Sequence, residues 1–351
     1  MYKKVLISAL VAAVFSGGVT AAQELSMDAQ ARVSQWQPSL QYPDPAVEVI
    51  EPEFTKYRQF NASLELLATG FRWAEGPAWN AQEQYLVFSD IPNNRLMKWD
   101  AKTESISVLS KSANNSNGNI FDSRGRRITA EHLTRRVTRT DSHGKMTVLT
   151  DSYQGKKLNS PNDFAIDSKG NIWFADPPFG IGGFYEGEKA KSELGFDGVY
   201  RINTESGDIE LVLDDLKGPN GLTFSPDGKA IYILETLAQP NTIWRYDVTK
   251  DGKLSNKSKF FVADKNGGLD GFKFDVDGNL WAGYGTNGAV GEDPSKFDGV
   301  IVINPQGSVI GHIHTPERCA NLTFGGKHNN RLFMTCSHSL YALYVNTQGA
   351  K

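Results

Sequence analysis

Four stretches of this chain share one pattern. "NGNIFDSRG", "NDFAIDSKG", "NGLTFSPDG" and "DGFKFDVDG" each set a polar residue four positions before a large apolar one and eight before a glycine. The leading residues are Asn117, Asn162, Asn220 and Asp270, followed by Phe121, Ile166, Phe224 and Phe274, then Gly125, Gly170, Gly228 and Gly278. Two weaker copies extend the series: "EGPAW" puts Glu75 four before Trp79, and "ANLTF" puts Ala320 four before Phe324. The six leading positions are separated by 42, 45, 58, 50 and 50 residues. Each unit continues with a second apolar run, such as "YLVFSD", "NIWFAD" or "AIYILE". β-Prone runs reversed by Pro, Gly and Asp read as strands joined by tight turns. Units of this length with three or four strands read as propeller blades. Six units predict an all-β, six-bladed β-propeller over residues 61–351, with "SLELLAT" as an extra strand that closes the ring against the last blade.

A propeller arranges equivalent positions of successive blades around one axis. Five of the six leading positions carry Glu, Asn or Asp, all oxygen donors. Local capping of turns explains Asn and Asp at strand starts, but it explains poorly a Glu, which is depleted there. Carboxylates and amides crowded on an axis are costly unless a cation sits among them. The pattern therefore predicts a central divalent-metal site. No Cys or His stands at these positions, which disfavours a dedicated zinc site and favours a hard cation.

At these residues the sequence resembles the regucalcin/gluconolactonase (SMP-30) family of six-bladed propeller lactonases. The resemblance covers about residues 45–348 and rests on "FRWAEGPAW", "KLNSPNDFAIDSKGNIWFADPPFG", "GVYRI", "GPNGLTFSPDGKAIYILET", "LDGFKFDVDGNLWAG" and "NLTFGG", in order. It implies one divalent cation, calcium foremost, with zinc, magnesium or manganese as substitutes. The implied ligands are Glu75, Asn162, Asn220 and Asp270, and Asn117 is implied as pocket lining. It further implies hydrolysis of a small-molecule sugar lactone, glucono-1,5-lactone being the reference, with the cation as Lewis acid. Asp270 is implied as general base, an ordinary ligand role being the rival. Other esters or organophosphates as substrates, and a calcium-stapled binding propeller without catalysis, are the alternative functions; no GxSxG elbow points to a serine esterase.

Counting hairpin partners fifteen residues on from each leading position sets Asp90, His132, Glu235 and Gly285 opposite Glu75, Asn117, Asn220 and Asp270. Asp90, His132 and Glu235 are thus expected as a polar layer behind the site. The long third unit carries "DPPFGIGGFYEGEKAKSELGF", residues 176–196. It is either a lid presenting Phe179, Phe184 or Tyr185 to substrate or a surface excursion packed on the next blade. The same register opposes Cys319 and Cys336, as a disulfide or as two buried thiols. "GHIHT" puts His312 and His314 on one strand face with no third ligand apparent.

The first 22 residues, "MYKKVLISALVAAVFSGGVTAA", read as a secretory signal, which implies a periplasmic or secreted protein with no membrane attachment once cleaved. Residues 23–60 are polar, with "YPDPAVEVIEPEF", and read as an extended arm. A formal charge of −3 gives no electrostatic reason to expect a nucleic-acid partner.

Overall fold

In the third unit, Ile172 and Phe174 pack toward the second unit while Trp173 and Ala175 pack toward the fourth. Successive side chains of a strand point to opposite faces. A strand buried on both faces therefore reads as a continuous apolar run, as "IWFA" does. This is the logic of a ring of face-packed sheets, and the computed structural model, which describes residues 27–350, has that architecture. Six antiparallel blade sheets follow one another along the chain, five of four strands and the fifth of five. The blades span residues 74–110, 116–150, 164–213, 219–262, 267–314 and 319–344, the last completed by Glu65–Thr69, which pairs with Ser339–Tyr344. That pairing is the ring closure expected of "SLELLAT". The apolar core lies between blades: Trp99 and Phe88 of the first meet Phe333 and Leu340 of the sixth, for example.

The glycines eight positions after four of the leaders lie in the turn of the inner hairpin. Gly170 (φ +83°) and Gly278 (φ +84°) occupy the left-handed region that favours glycine. Asp167 and Asp275 cap these turns, and each also accepts the indole N–H of the following strand's tryptophan, Trp173 at 3.1 Å and Trp281 at 3.0 Å. Phe121, Ile166, Phe224, Phe274 and Phe324 line a cavity of about 480 Å³ at the turn end of the axis. Ala350 closes over it, its N–H bonded to Phe274 O at 2.8 Å. None of the leading residues lines this cavity.

The secretory signal expected over residues 1–22 lies outside the described residues. The arm is more structured than an extended chain. Met27–Gln35 is helical, Val47–Val49 adds a fifth strand to the fifth blade against Val309–His314, and Pro52–Lys56 forms a short 3₁₀ turn. Phe54, 1% exposed, fills the space left by Gly311, where any Cβ would overlap its ring. Cys319 and Cys336 are paired in register and joined by a disulfide.

Candidate metal centre and active site

The inner strands do not run straight into the axis. Between the pairs Ser116↔Glu131 and Asn119↔Thr129, two residues, Asn117 and Gly118, face a single partner position. The same two-for-one count falls on Asn220–Gly221 and on Asp270–Gly271. Asn117, Asn220 and Asp270 thus sit in β-bulges, which re-aim a side chain out of the alternating register, while Glu75 is paired just before one and Asn162 precedes its strand. The glycine that follows serves close approach. A Cβ on Gly118 would overlap the Asn162 carbonyl oxygen, which accepts the Gly118 N–H at 2.9 Å. A Cβ on Gly221 would stand 2.6 Å from the Asp270 carbonyl. The dipeptides "NG" and "DG" thus let neighbouring blades touch backbone to backbone and turn their polar side chains to the axis.

Glu75, Asn117, Asn162 and Asn220 are buried there, and the Asp270 side chain keeps 14% of its surface exposed. Asn220 Nδ2 donates to Asp270 Oδ1 at 2.8 Å. Glu75 Oε2 accepts from its neighbour Gly76 N at 2.5 Å and from Asn321 Nδ2 at 3.1 Å. Burial, then the Asp270 charge, hold the Glu75 carboxyl well above its usual range. Burial also raises Asp270, to about 6, against the opposing pull of the Arg318 guanidinium. Asn117 Oδ1 is buried without a hydrogen-bond partner among the described residues. An all-oxygen donor set, two carboxylates that repel each other and an orphaned amide oxygen together fit a hard divalent cation.

Several residues of this region have no counterpart in the repeat pattern. Asp163 stands where other blades carry glycine; its Oδ2 lies 3.4 Å from Asn321 Nδ2 and 3.7 Å from Lys273 Nζ. In the sixth blade the bulge is a single residue, Ala320, so the side chain that reaches Glu75 is Asn321, not the residue at the repeat position. Arg318 Nη2 approaches Asp270 Oδ2 at 3.8 Å, and its stem occupies the space left by Gly285.

The bulges also correct the counted register. Glu75 faces Ser89, and Asp90 faces Ala74. Asp90 is spent on structure: it accepts the Arg72 N–H at 3.0 Å, Asn93 Nδ2 at 2.8 Å and Arg95 Nη2 at 2.5 Å. Glu235 faces Pro219 and accepts from Lys217 N at 3.0 Å and Trp244 Nε1 at 2.8 Å. Neither stands behind the ring. His132, 1% exposed, lies outside the strand pair altogether and props residues 176–196 from below. Its Nδ1–H donates to Glu186 O at 3.1 Å, and Gly180 packs on the imidazole. Nε2 has no partner among the described residues, so a second proton would be buried unbonded; burial lowers the pKa to about 4.

The segment 176–196 is not confined to the third blade. Tyr185 Oη donates to Arg72 O, just ahead of the first blade, at 3.3 Å, so the segment extends past the second blade toward the first. Glu186 is held up at about 7 by burial and by the Asp270 charge. Phe179 is half-buried, and Phe184 and Tyr185 are exposed.

A profile of the SMP-30/Gluconolactonase/LRE-like region matches residues 73–338. The chain belongs to this family. It is 28% identical to the gluconolactonase of Zymomonas mobilis over 322 residues, 85% of each chain. A solved gluconolactonase from Xanthomonas campestris superposes with a TM-score of 0.77 at 33% identity, over 85% of this chain and 94% of the other. The diisopropyl-fluorophosphatase of Loligo vulgaris is 26% identical over 67% of this chain and 76% of its own.

Proposed function

We propose that the protein is a metal-assisted lactonase that opens sugar lactones, glucono-1,5-lactone among them, to the corresponding hydroxy acids. One observation carries the reading: buried oxygen-bearing side chains lead the inner strands, with Asn220 bonded to Asp270 and the Glu75 carboxyl held up by the Asp270 charge, in a chain of the gluconolactonase family. Glu75, Asn162, Asn220 and Asp270 would hold one divalent cation, calcium first among the candidates, which supplies the positive charge that polarises the lactone carbonyl and stabilises the tetrahedral oxyanion.

The chain's own groups do the rest. Asn220 occupies Asp270 Oδ1, which leaves Oδ2 as the basic oxygen facing the opening. Asp270 takes a proton from water as the water oxygen bonds to the carbonyl carbon. Collapse of the tetrahedral adduct breaks the bond to the ring oxygen, which leaves as a hydroxyl after receiving that proton. Arg318, beside Asp270, orients the oxygens of the substrate. Tyr185 ties the segment 176–196 to Arg72 O.

The test is turnover of glucono-1,5-lactone by the chelated protein with Ca²⁺, Mg²⁺, Zn²⁺ and Mn²⁺ restored one at a time, in the native chain, Glu75→Gln and Asp270→Asn. The expected result is turnover that needs a metal and vanishes in both variants, while calcium still raises the Tm of Asp270→Asn. Calcium-dependent stability without lactone turnover in the native chain would assign the ring to a binding propeller. Turnover of diisopropyl fluorophosphate alone would assign it to the phosphatase-like branch.

A further inference from the structure

On the rim of the fifth blade, far along the chain from the axial ring, two histidines and a glutamate meet. His312 and His314 share one face of the strand Val309–His314, whose other face, at Gly311, receives Phe54 of the arm. The arm strand Val47–Val49 pairs with this strand so that Glu48 stands opposite His312. The imidazoles lie with ring centroids 3.9 Å apart, and His314 Nε2 is 2.8 Å from Glu48 Oε2. One ligand atom from each residue falls within 4.8 Å of the other two. His312 is only 5% exposed, and its Nε2 is buried without a hydrogen-bond partner among the described residues.

We infer that Glu48, His312 and His314 form a second metal site, of His₂-carboxylate type, that takes a zinc-class transition ion and clips the N-terminal arm to the fifth blade. Ligand chemistry separates it from the axial ring: imidazole nitrogen selects zinc, nickel and copper, and an oxygen-only set selects calcium or magnesium. The half-exposed Glu48 and His314 side chains supply the rotation needed to close on an ion at about 2.0–2.2 Å. Two protein segments more than 260 residues apart contribute, so an ion bound here is energetically linked to arm docking.

The experiment uses the full chain after removal of any signal segment. Zinc is titrated alone against a chromophoric chelator, in the native protein, His314→Gln, Glu48→Gln and Asp270→Asn. Limited proteolysis of the arm is followed with and without zinc. The expected result is one zinc equivalent that Asp270→Asn retains, that both rim variants weaken by roughly tenfold or more, and that slows cleavage before Val47. Both rim positions are partly exposed, so these variants fold; His312→Gln joins as a third, read only if its Tm is unchanged. Zinc bound equally tightly by His314→Gln and Glu48→Gln, or lost in Asp270→Asn alone, would overturn the assignment, as would arm cleavage indifferent to zinc.

Discussion

Replacing His132 by asparagine probes how the segment 176–196 is supported. An asparagine amide reaches about as far as Nδ1 and keeps a donor toward Glu186 O, but it cannot titrate. In the native protein the imidazole falls from its ordinary 6.5 to about 4, because its second nitrogen is buried without an acceptor among the described residues. A depressed folded-state pKa means that the unfolded chain binds the proton first as pH drops. The associated stability is complete above about 6.5 and is lost as pH falls toward 4. At about 1.4 kcal/mol per pH unit the full effect is roughly 3 kcal/mol, most of it, ~2.5 kcal/mol, gone by about pH 4.5. Asp176, raised to about 7 by burial, pulls the other way, since the folded protein takes up its proton first. That contribution is common to both proteins and cancels in their difference. Urea unfolding of native protein and His132→Asn at about pH 7.5 and about pH 4.5 should therefore show the native protein losing ~2.5 kcal/mol more than the variant on acidification. Parallel losses in the two proteins would refute the claim that His132 is held neutral beneath the segment.

The other structural claims are equally open to measurement. Gly118→Ala should cost about 1–3 kcal/mol in urea unfolding, because its Cβ overlaps the Asn162 carbonyl, whereas Gly183→Ala, with open space around it, should stay within about 0.5 kcal/mol. Converting Cys319 and Cys336 to serine should lower stability by about 3 kcal/mol, the entropy expected for a loop closed across 17 residues, read as the difference between oxidised native protein and variant. Tyr185→Phe removes the bond to Arg72 O and should raise KM for the lactone up to about tenfold with a smaller change in kcat, measured by steady-state kinetics.

The blade count, the closing strand and the polar leaders were all legible in the sequence, because strand and turn chemistry repeats at fixed spacing and each copy reinforces the others. The layer behind the ring was not. Counting fifteen residues to a hairpin partner assumes an unbroken ladder, and the bulges after Glu75 and at Asn220 shift the count, so that Asp90 and Glu235 end in turn clasps instead. Asn321 escaped for the same reason: a one-residue bulge at Ala320 moves the functional side chain one place beyond the repeat position. Arg318 and Glu186 precede a strand or lie in a connecting segment, where no period exists to mark them. Glu48 became a partner for the two histidines only through pairing of the arm with the fifth blade, a long-range contact that no local pattern encodes.

Ring closure by Glu65–Thr69 also has a history in time. Its partner strand lies some 270 residues downstream, so the closing pair is among the last contacts the chain is able to make. Until then the first blade presents Leu86, Phe88, Met97 and Trp99 to no one, and Glu65–Thr69 is an unpaired edge. The incomplete ring is a sticky crescent. Once Ser339–Tyr344 docks, both liabilities vanish in a single event, and Arg331 seals the seam with an ion pair to Glu65 at 2.7 Å. Opening any one seam bares two blade faces at once, so the finished propeller holds everywhere or lets go as a whole.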